Sequence, residues 1–580
     1  MPVGSPPRGG PVGRSRGRLS ASSLTTYLRC PRQWMLNYQA GMSGPIRPSQ
    51  ILGVVLEEAF CDLLMMHPPM VDSHAALQDW ASSQLETIAQ DAHAKGKVSW
   101  EAALWKTEED TWDDVRLEDM RQRLSDGLRL YLEEVKACFE AQGGPFLEEM
   151  RNGNDPFHVP SPSLGGTPQF PLPDKVPDVE KRSWTSDQYA LWQKKGAAVA
   201  WNEAWECARP WFKDPRVHQP QRLYHPDGWA SGELDLVLRW DGNIRIVDIK
   251  SGRPSSLFAS SLEHQLRFYA WLWHETHEGE LVTGMEGWYL NGGERVAYPV
   301  PDQQGMVELT EFYRTTHDSM QSMAEGVLAF PASEGVACDG QSAGCSWCSV
   351  SQSEGVLKRP ENLSWLSDMQ QVSIKSPYVR LGDIQGRVSV KGRLTGTWGP
   401  MSNHFGEPVL GAVLVVGSQH ITLEESEPGA FSDLHAWAER DVILHEALPG
   451  VWRDQPRLYL DRRSTVFAQD GPKAEDADID FTRLGLLRTR ANVRGHVLCI
   501  RQREGVRVDG KPWSMVSFML WDGSHIAEVV AFGSSISQRL LNVRPGDSVS
   551  MTGAELGWRS GVLQLRIDNR KTRLETSSLP

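Results

Sequence analysis

Two aspartates in an apolar strand pair constrain this chain more than any other feature. Residues 234–250 read LDLVLRWDGNIRIVDIK, two apolar runs around Asp241-Gly242. That dipeptide suits a two-residue type I′ turn, whose central residues both need φ > 0. Such a turn pairs Trp240 with Asn243, and with them Asp235 with Asp248 and Glu233 with Lys250. Directly opposed side chains share a face, about 5 Å apart at Cβ. One face therefore collects Glu233, Asp235, Asp248 and Lys250, and the other Leu234, Leu236, Leu238, Val247 and Ile249. Two opposed carboxylates repel unless a cation lies between them, and hard oxygen donors suit Mg²⁺ or Mn²⁺. A three-residue loop would shift this register by one. A solvated polar face on an exposed hairpin is the plainer reading of the same pattern.

At 580 residues the chain is long enough for several domains. No apolar run approaches the roughly 18 residues needed to span a bilayer, and the Pro-, Gly- and Arg-rich start has no secretory apolar segment. Eight cysteines are too few for a disulfide scaffold, so a reducing cytoplasm is the expected compartment. The net charge of −14 is unevenly spread: residues 1–50 carry +7, residues 481–580 carry +7, and the middle carries −28. Basic ends on an acidic chain leave room for a nucleic-acid partner that the total charge alone would disfavour.

Residues 1–18 read as a disordered basic tail. The segment 20–38, SASSLTTYLRCPRQWMLNY, reads as a helix opened by hydroxyl caps and interrupted at Pro31. A second apolar helix covers 51–64. A helical insertion spans about 74–208, broken by a Pro-rich loop over 151–180. The segment 261–275 is an amphipathic helix. Past about residue 355 the pattern changes to short β runs with Gly-rich turns. This half repeats itself: Asp441 and Trp452-Arg453 recur as Asp547 and Trp558-Arg559, and GRVSV at 386 recurs as GHVLC at 495. Two copies of one small β unit, over 370–470 and 485–575, suit two OB-type barrels.

In order along the chain, four segments resemble the RecB-type branch of the PD-(D/E)XK nucleases, which includes AddB-like and CRISPR-associated iron–sulfur nucleases. They are SASSLTTYLRCPRQW, GELDLV, IVDIKSG and QLRFY. The resemblance covers roughly the first 350 residues and implies an α/β (α+β) restriction-endonuclease-like core over 19–355. By that resemblance Asp235 and Asp248 are metal ligands, with the Ile249 carbonyl beside them, and Lys250, Gln265 and Tyr269 complete the catalytic set. The family's G-x-x-H histidine falls on Leu56, which cannot ligate a cation. Glu57 or Glu58 follows and could take its place, or both could lie on a solvated helix face.

Cys338, Cys345 and Cys348 stand in C-x6-C-x2-C, a spacing more often metal-binding than disulfide-forming in a cytosolic protein. The resemblance supplies Cys30 as the fourth ligand and implies a [4Fe–4S] cluster, with structural Zn²⁺ as the alternative. Cys61, Cys138, Cys207 and Cys499 lack a partner pattern and read as buried apolar residues. No G-x-x-x-x-G-K-[ST] loop occurs, so any unwinding needs a separate helicase. In the second barrel Trp513, Trp521 and Trp558 interleave with Arg501, Arg503 and Lys511. That pattern suits a single-strand groove or, for many of the aromatics, a barrel core.

The reading that follows is a metal-dependent deoxyribonuclease acting on single-stranded or flapped DNA in repair or recombination. The alternative is an inactive nuclease scaffold that binds single strands or assembles partners, which Leu56 favours.

Overall fold

The computed structural model describes residues 18–34, 37–38, 46–103, 110–145, 147, 199–210, 223–254, 256–321, 377–384, 386–402, 408–426, 429, 431, 433–452, 455–461, 463–470, 479–506, 510–523, 525–559, 562–568 and 570–577. The Pro-rich stretch 151–180, Cys338, Cys345, Cys348 and the side chain of Trp558 lie outside them. No described helix is long and apolar enough to cross a membrane.

Arg18, the first described residue, is buried, and its Nε donates to the Gly228 carbonyl at 3.1 Å. Helix α1 (Ala21–Arg29) starts where Ser20 and Ser23 form a reciprocal capping box. It stops at Cys30 because Pro31 disfavours helical geometry in the residue before it, and Pro31 opens the short α2 (Pro31–Trp34). Helices α3 (Pro48–Met65), α4 (His74–Ala102), α5 (Leu117–Glu140) and α6 (Trp201–Ala208) follow. A two-stranded pair, β1 (Leu223–Tyr224) and β2 (Ser231–Gly232), leads to the central sheet.

That sheet has the order β3 (Leu236–Leu238), β4 (Arg245–Lys250), β5 (Gly284–Tyr289), β6 (Glu294–Tyr298). β4 and β5 are parallel, so a crossover must join them, and α7 (Ser256–Thr276) supplies it. Helix α8 (Gln303–Gln321) follows β6. The result is three layers. Leu236, Leu238, Val247, Ile249 and Trp288 point to the side packed by α3–α6. Val237, Ile246, Met285 and Tyr289 point to the side packed by α1, α7 and α8. Burying each such large apolar side chain contributes about 1.5–3 kcal/mol. Both faces of β4 are covered, which is why Ile246, Val247 and Ile249 form a near-continuous apolar run.

The hairpin register is the one that opposes the two aspartates: Leu236 pairs Val247, Val237 pairs Ile246 and Leu238 pairs Arg245. The turn differs from type I′. Gly242 N donates to the Arg239 carbonyl at 2.9 Å, and Gly242 alone of the two central residues has positive φ, at 81°. Asp241 instead accepts from Asn243 N at 3.1 Å, a local side-chain turn that a left-handed Asp241 does not require. The ladder begins only at Leu236. Leu234, expected beside Leu236, packs with α7 on the opposite side because the alternation has not yet started.

Two closed five-stranded barrels make up the C-terminal part. The first runs β7 (Val388–Ser402), β8 (Pro408–Val416), β9 (Gln419–Glu425), β10 (Asp441–Trp452), β11 (Gln455–Leu460), with β12 (Thr465–Ala468) on its edge. β11 lies parallel to β9 and antiparallel to β10, and β10 closes on β7. The second runs β13 (Arg490–Val506), β14 (Pro512–Trp521), β15 (Ile526–Phe532), then a single helical turn α9 (Gln538–Leu541), β16 (Ser548–Arg559), β17 (Val562–Ile567) and the edge strand β18 (Arg573–Ser577). Its β17 is parallel to β15 and β16 closes on β13, so both barrels have one strand order. The repeated sequence segments fall on corresponding strands: Asp441 begins β10 and Asp547 directly precedes β16, while GRVSV leads into β7 and GHVLC lies within β13.

Candidate active site

The site lies where β4 ends against α7 and α3. Asp248 and Lys250 alternate with Val247 and Ile249 and so face α7. Asp248 is buried, and its Oδ2 lies 2.5 Å from Lys250 Nζ. Lys250 Nζ also donates to Gln265 Oε1 at 3.1 Å. Asp235, just before β3, does not extend the ladder. Its Oδ2 accepts the Ile249 N–H at 2.9 Å, supplying the acceptor that the missing strand residue would have provided. The Ile249 side chain is buried on the other face, so only its backbone serves the site.

The electrostatics identify the remaining members. Burial, then the charges of Glu57 and Asp248, push the Asp235 carboxyl well above its usual range, against Lys250 and the Ile249 N–H. Burial works against the Lys250 charge, but Asp248, Asp235 and Glu57 outweigh it and hold the ammonium above its usual pKa. These carboxylates thus favour the charged ammonium at this position. Tyr269, one helical turn beyond Gln265, is pushed well up by burial and by Asp235, Asp248, Glu233 and Glu57, so it stays a hydroxyl. Glu57 is the α3 carboxylate whose charge acts on all three. Leu56, at the position of the expected histidine, is fully buried among the insertion helices. One turn before Glu57, Gly53 brings α3 close to the strand end: a Cβ there would lie 3.7 Å from Ser251 Oγ.

Asp235, Asp248 and Glu57 form an oxygen-only donor set, the chemistry that suits a hard divalent cation, and a cation would relieve the repulsion that burdens Asp235. Among the described residues, no three His, Cys, Asp or Glu side chains already converge as a metal site. With Lys250 resting on Asp248, the donor chemistry fits a cation while the ligand shell is not yet closed.

Three features of the site were not singled out in the sequence. Gly287 sits beside Asp248 in the β4–β5 ladder, where a Cβ would come within 2.7 Å of Leu262 on α7. A glycine inside a strand is a signal of such close approach. Tyr298 on β6 feels Asp248: burial, Tyr289, Glu263 and Asp248 all push its hydroxyl pKa up. Glu134 on α5 holds the sheet from behind. It accepts from Trp240 Nε1 at 3.0 Å and from Arg245 at 3.0 and 2.6 Å, and it also pairs with Arg295. Burial raises its pKa, but these partners outweigh it and bring the carboxyl down to about 2.

The other expected site residues are scattered. Cys30 is buried between α1 and α2, with its Sγ accepting the Gln33 N–H at 3.4 Å. Its three expected partners lie outside the described residues. Cys61, Cys138, Cys207 and Cys499 are all buried. In the second barrel Trp513 is half-buried over Gly505, Arg503 is half-buried and Lys511 is exposed, all near the tip of the β13–β14 hairpin. Trp521 and Arg501 depart from a strand-binding role. Trp521 is 4% exposed and packs into the apolar cluster of α1 and α7, because the outer face of β14 is covered. Arg501 is 2% exposed on the same covered face.

A sheet whose strand end presents an aspartate, a D-x-K pair and a Gln–Tyr helix defines a class of phosphodiester-cleaving enzymes. The model of the PD-(D/E)XK nuclease superfamily matches residues 18–142 and 176–353, and the chain belongs to that superfamily. Its members are in general nucleases and typically use divalent metals such as Mg²⁺. No curated protein matches the chain. Among solved structures, a replication protein A heterotrimer bound to ssDNA is similar over 34% of this chain and 51% of that one, at 14% identity and a TM-score of 0.14. This chain thus spans about half of that chain's length. The HINa domain of Ifi202 in complex with 20 bp dsDNA is similar over 33% and 98%, at 10% identity and a TM-score of 0.13. A murine DNA-binding protein bound with ds DNA is similar over 34% and 100%, at 11% identity and a TM-score of 0.12. Likenesses this slight bear on neither substrate nor partner.

Proposed function

We propose that this superfamily member is a Mg²⁺- or Mn²⁺-dependent deoxyribonuclease that hydrolyses single-stranded or flapped DNA in repair or recombination. The observation that carries this reading is the convergence of Asp235, Asp248, Lys250, Gln265 and Tyr269 on one strand end, with Glu57 adding its charge. Asp235, Asp248, the Ile249 carbonyl and Glu57 would hold the cation. When bound, it would polarise the scissile phosphate and acidify a water. Lys250, kept cationic, orients the attacking water and stabilises charge developing on the phosphate. Gln265 fixes the Lys250 ammonium, and the Tyr269 hydroxyl is a donor for a phosphate oxygen.

The C-terminal barrel region, read as OB-type units by their shared strand order, supplies the surface that holds the single strand. Cys30 with Cys338, Cys345 and Cys348 would ligate a [4Fe–4S] cluster that staples α1 to the end of the nuclease core. A separate helicase would supply single strands, and a reducing cytoplasm would keep the thiols available.

Labelled single strands should be degraded by wild type with Mg²⁺ and not with chelator. Asp248→Asn and Lys250→Ala should each lower the rate by about 10²-fold or more while strand binding persists. Parallel loss of binding would show a structural role instead. Protein purified without oxygen should be brown, with about four irons per chain. Colourless protein carrying one zinc would refute the cluster while keeping the four-thiolate site.

A further inference from the structure

The two barrels share one strand order, yet their outer faces have opposite fates. In the second barrel the rows Arg501–Ser517–Val530 and Cys499–Met519–Glu528 run across the outside of β13, β14 and β15. All six residues are buried, none more than 6% exposed. Cys499 and Met519, with Leu498 and Trp521, join the apolar cluster built by Leu24, Trp34 and Leu266 of the nuclease core. This face is already occupied within the chain. The outer face of the first barrel carries the row Arg393–Val415–His420, and beside it Thr395–Val413–Thr422. None of these six is buried, and Arg393 and His420 are exposed.

We infer that a single-stranded nucleic acid is bound on the outer face of β7–β8–β9 of the first barrel, and that the second barrel is an internal docking unit. This rests on the nuclease reading above and locates its substrate-holding surface. Three properties favour a strand as occupant. Lys391 and Arg393 project from β7 as exposed cations that can meet phosphates. Phe481, 37% exposed, runs alongside Ser389 with Lys391 Nζ 5.1 Å from its ring centroid, an aromatic and a cation already together. Val415 beside Arg393 and Val413 beside Thr395 give a partly exposed apolar floor against which a base can lie. Aromatic stacking beside a cationic track is how such barrels hold strands regardless of sequence. Glu439 and Asp441 each lie 3.6 Å from Arg393 and position its guanidinium on this face.

The test is binding of a fluorescent oligothymidylate to the full chain in the presence of chelator, so that cleavage plays no part. Lys391→Glu/Arg393→Glu should weaken binding by about 10-fold or more and make the salt slope shallower by roughly 0.7 for each phosphate no longer neutralised. Phe481→Ala should weaken binding with the slope unchanged. Lys95→Glu on α4, a charge reversal elsewhere, should change neither, and melting curves of all variants should match wild type. Wild-type affinity and slope in both barrel variants would overturn the inference, as would wild-type protein that binds no oligothymidylate. Failure of the nuclease reading would appear separately, as binding without Mg²⁺-dependent degradation.

Discussion

Asp235 sits where its own charge is least welcome. It is half-buried, the charges of Glu57 and Asp248 act against it, and its compensation is the Ile249 N–H and the Lys250 ammonium. Asp235→Asn keeps an acceptor for that N–H and removes the repulsion. The substituted protein should melt at a higher temperature than metal-free wild type and lose the upward melting shift that Mg²⁺ gives wild type. A lower melting temperature would mean that the carboxylate is structurally favourable as it stands. Much of this was legible in the sequence, because a D-x-K pair on a strand places both side chains on one face and Gln265 and Tyr269 lie one helical turn apart. The choice of Glu57 over Glu58 was not, since it depends on the rotation of α3 set by the packing of Leu56 and Phe60. Arg501 and Trp521 read as groove residues because cation and aromatic alternate in groove and interface alike. Only the covering layer tells the two apart.

At the scale of elements, the register of β3 and β4 follows from the sequence although the turn does not. A six-residue connection, 239–244, with Gly242 in the left-handed region preserves the pairing that a two-residue turn would give. The alternation fails at Leu234 because the chain is no longer a strand there. The clamp at Glu134 was invisible, since its partners are 106 to 161 residues distant. Through Arg245 and Arg295 it ties α5 to β4 and β6, and so holds the strand that carries Asp248. Glu134→Ala leaves two guanidiniums without their buried partner and should cost about 3–5 kcal/mol. Its carboxyl is depressed to about 2 from 4.5. Its contribution is therefore complete above about pH 4.5 and is lost as the pH falls through about 2. Denaturant melts of wild type should show this loss, and Glu134→Gln should lack that part of it. Identical acid profiles would remove the clamp from the account.

Across the whole molecule, the nuclease core and the second barrel are joined through apolar side chains, and the first barrel has Lys391, Arg393 and His420 exposed on its outer face. Trp521 is a residue of that junction. Trp521→Ala should cost about 3–5 kcal/mol, as for other large buried aromatics, and should destabilise the nuclease core along with the barrel. Loss confined to the barrel would mean that the units are independent. The repeat that announced two barrels was readable because each copy keeps its own strand pattern. Which copy faces outward was not readable, because it depends on the apolar choices at Cys499, Met519 and Trp521 meeting α1, α2 and α7. The central claim, that the strand end carrying Asp248 and Lys250 hydrolyses DNA with a divalent cation, is tested most directly by one measurement. That is the degradation rate of an end-labelled single strand by the full chain with Mg²⁺, compared with chelator and with Lys250→Ala. Degradation by wild type with Mg²⁺ alone, falling about 10²-fold or more on substitution, is the expected result. Equal rates with Mg²⁺ and chelator, or a Lys250→Ala protein as fast as wild type, would contradict it.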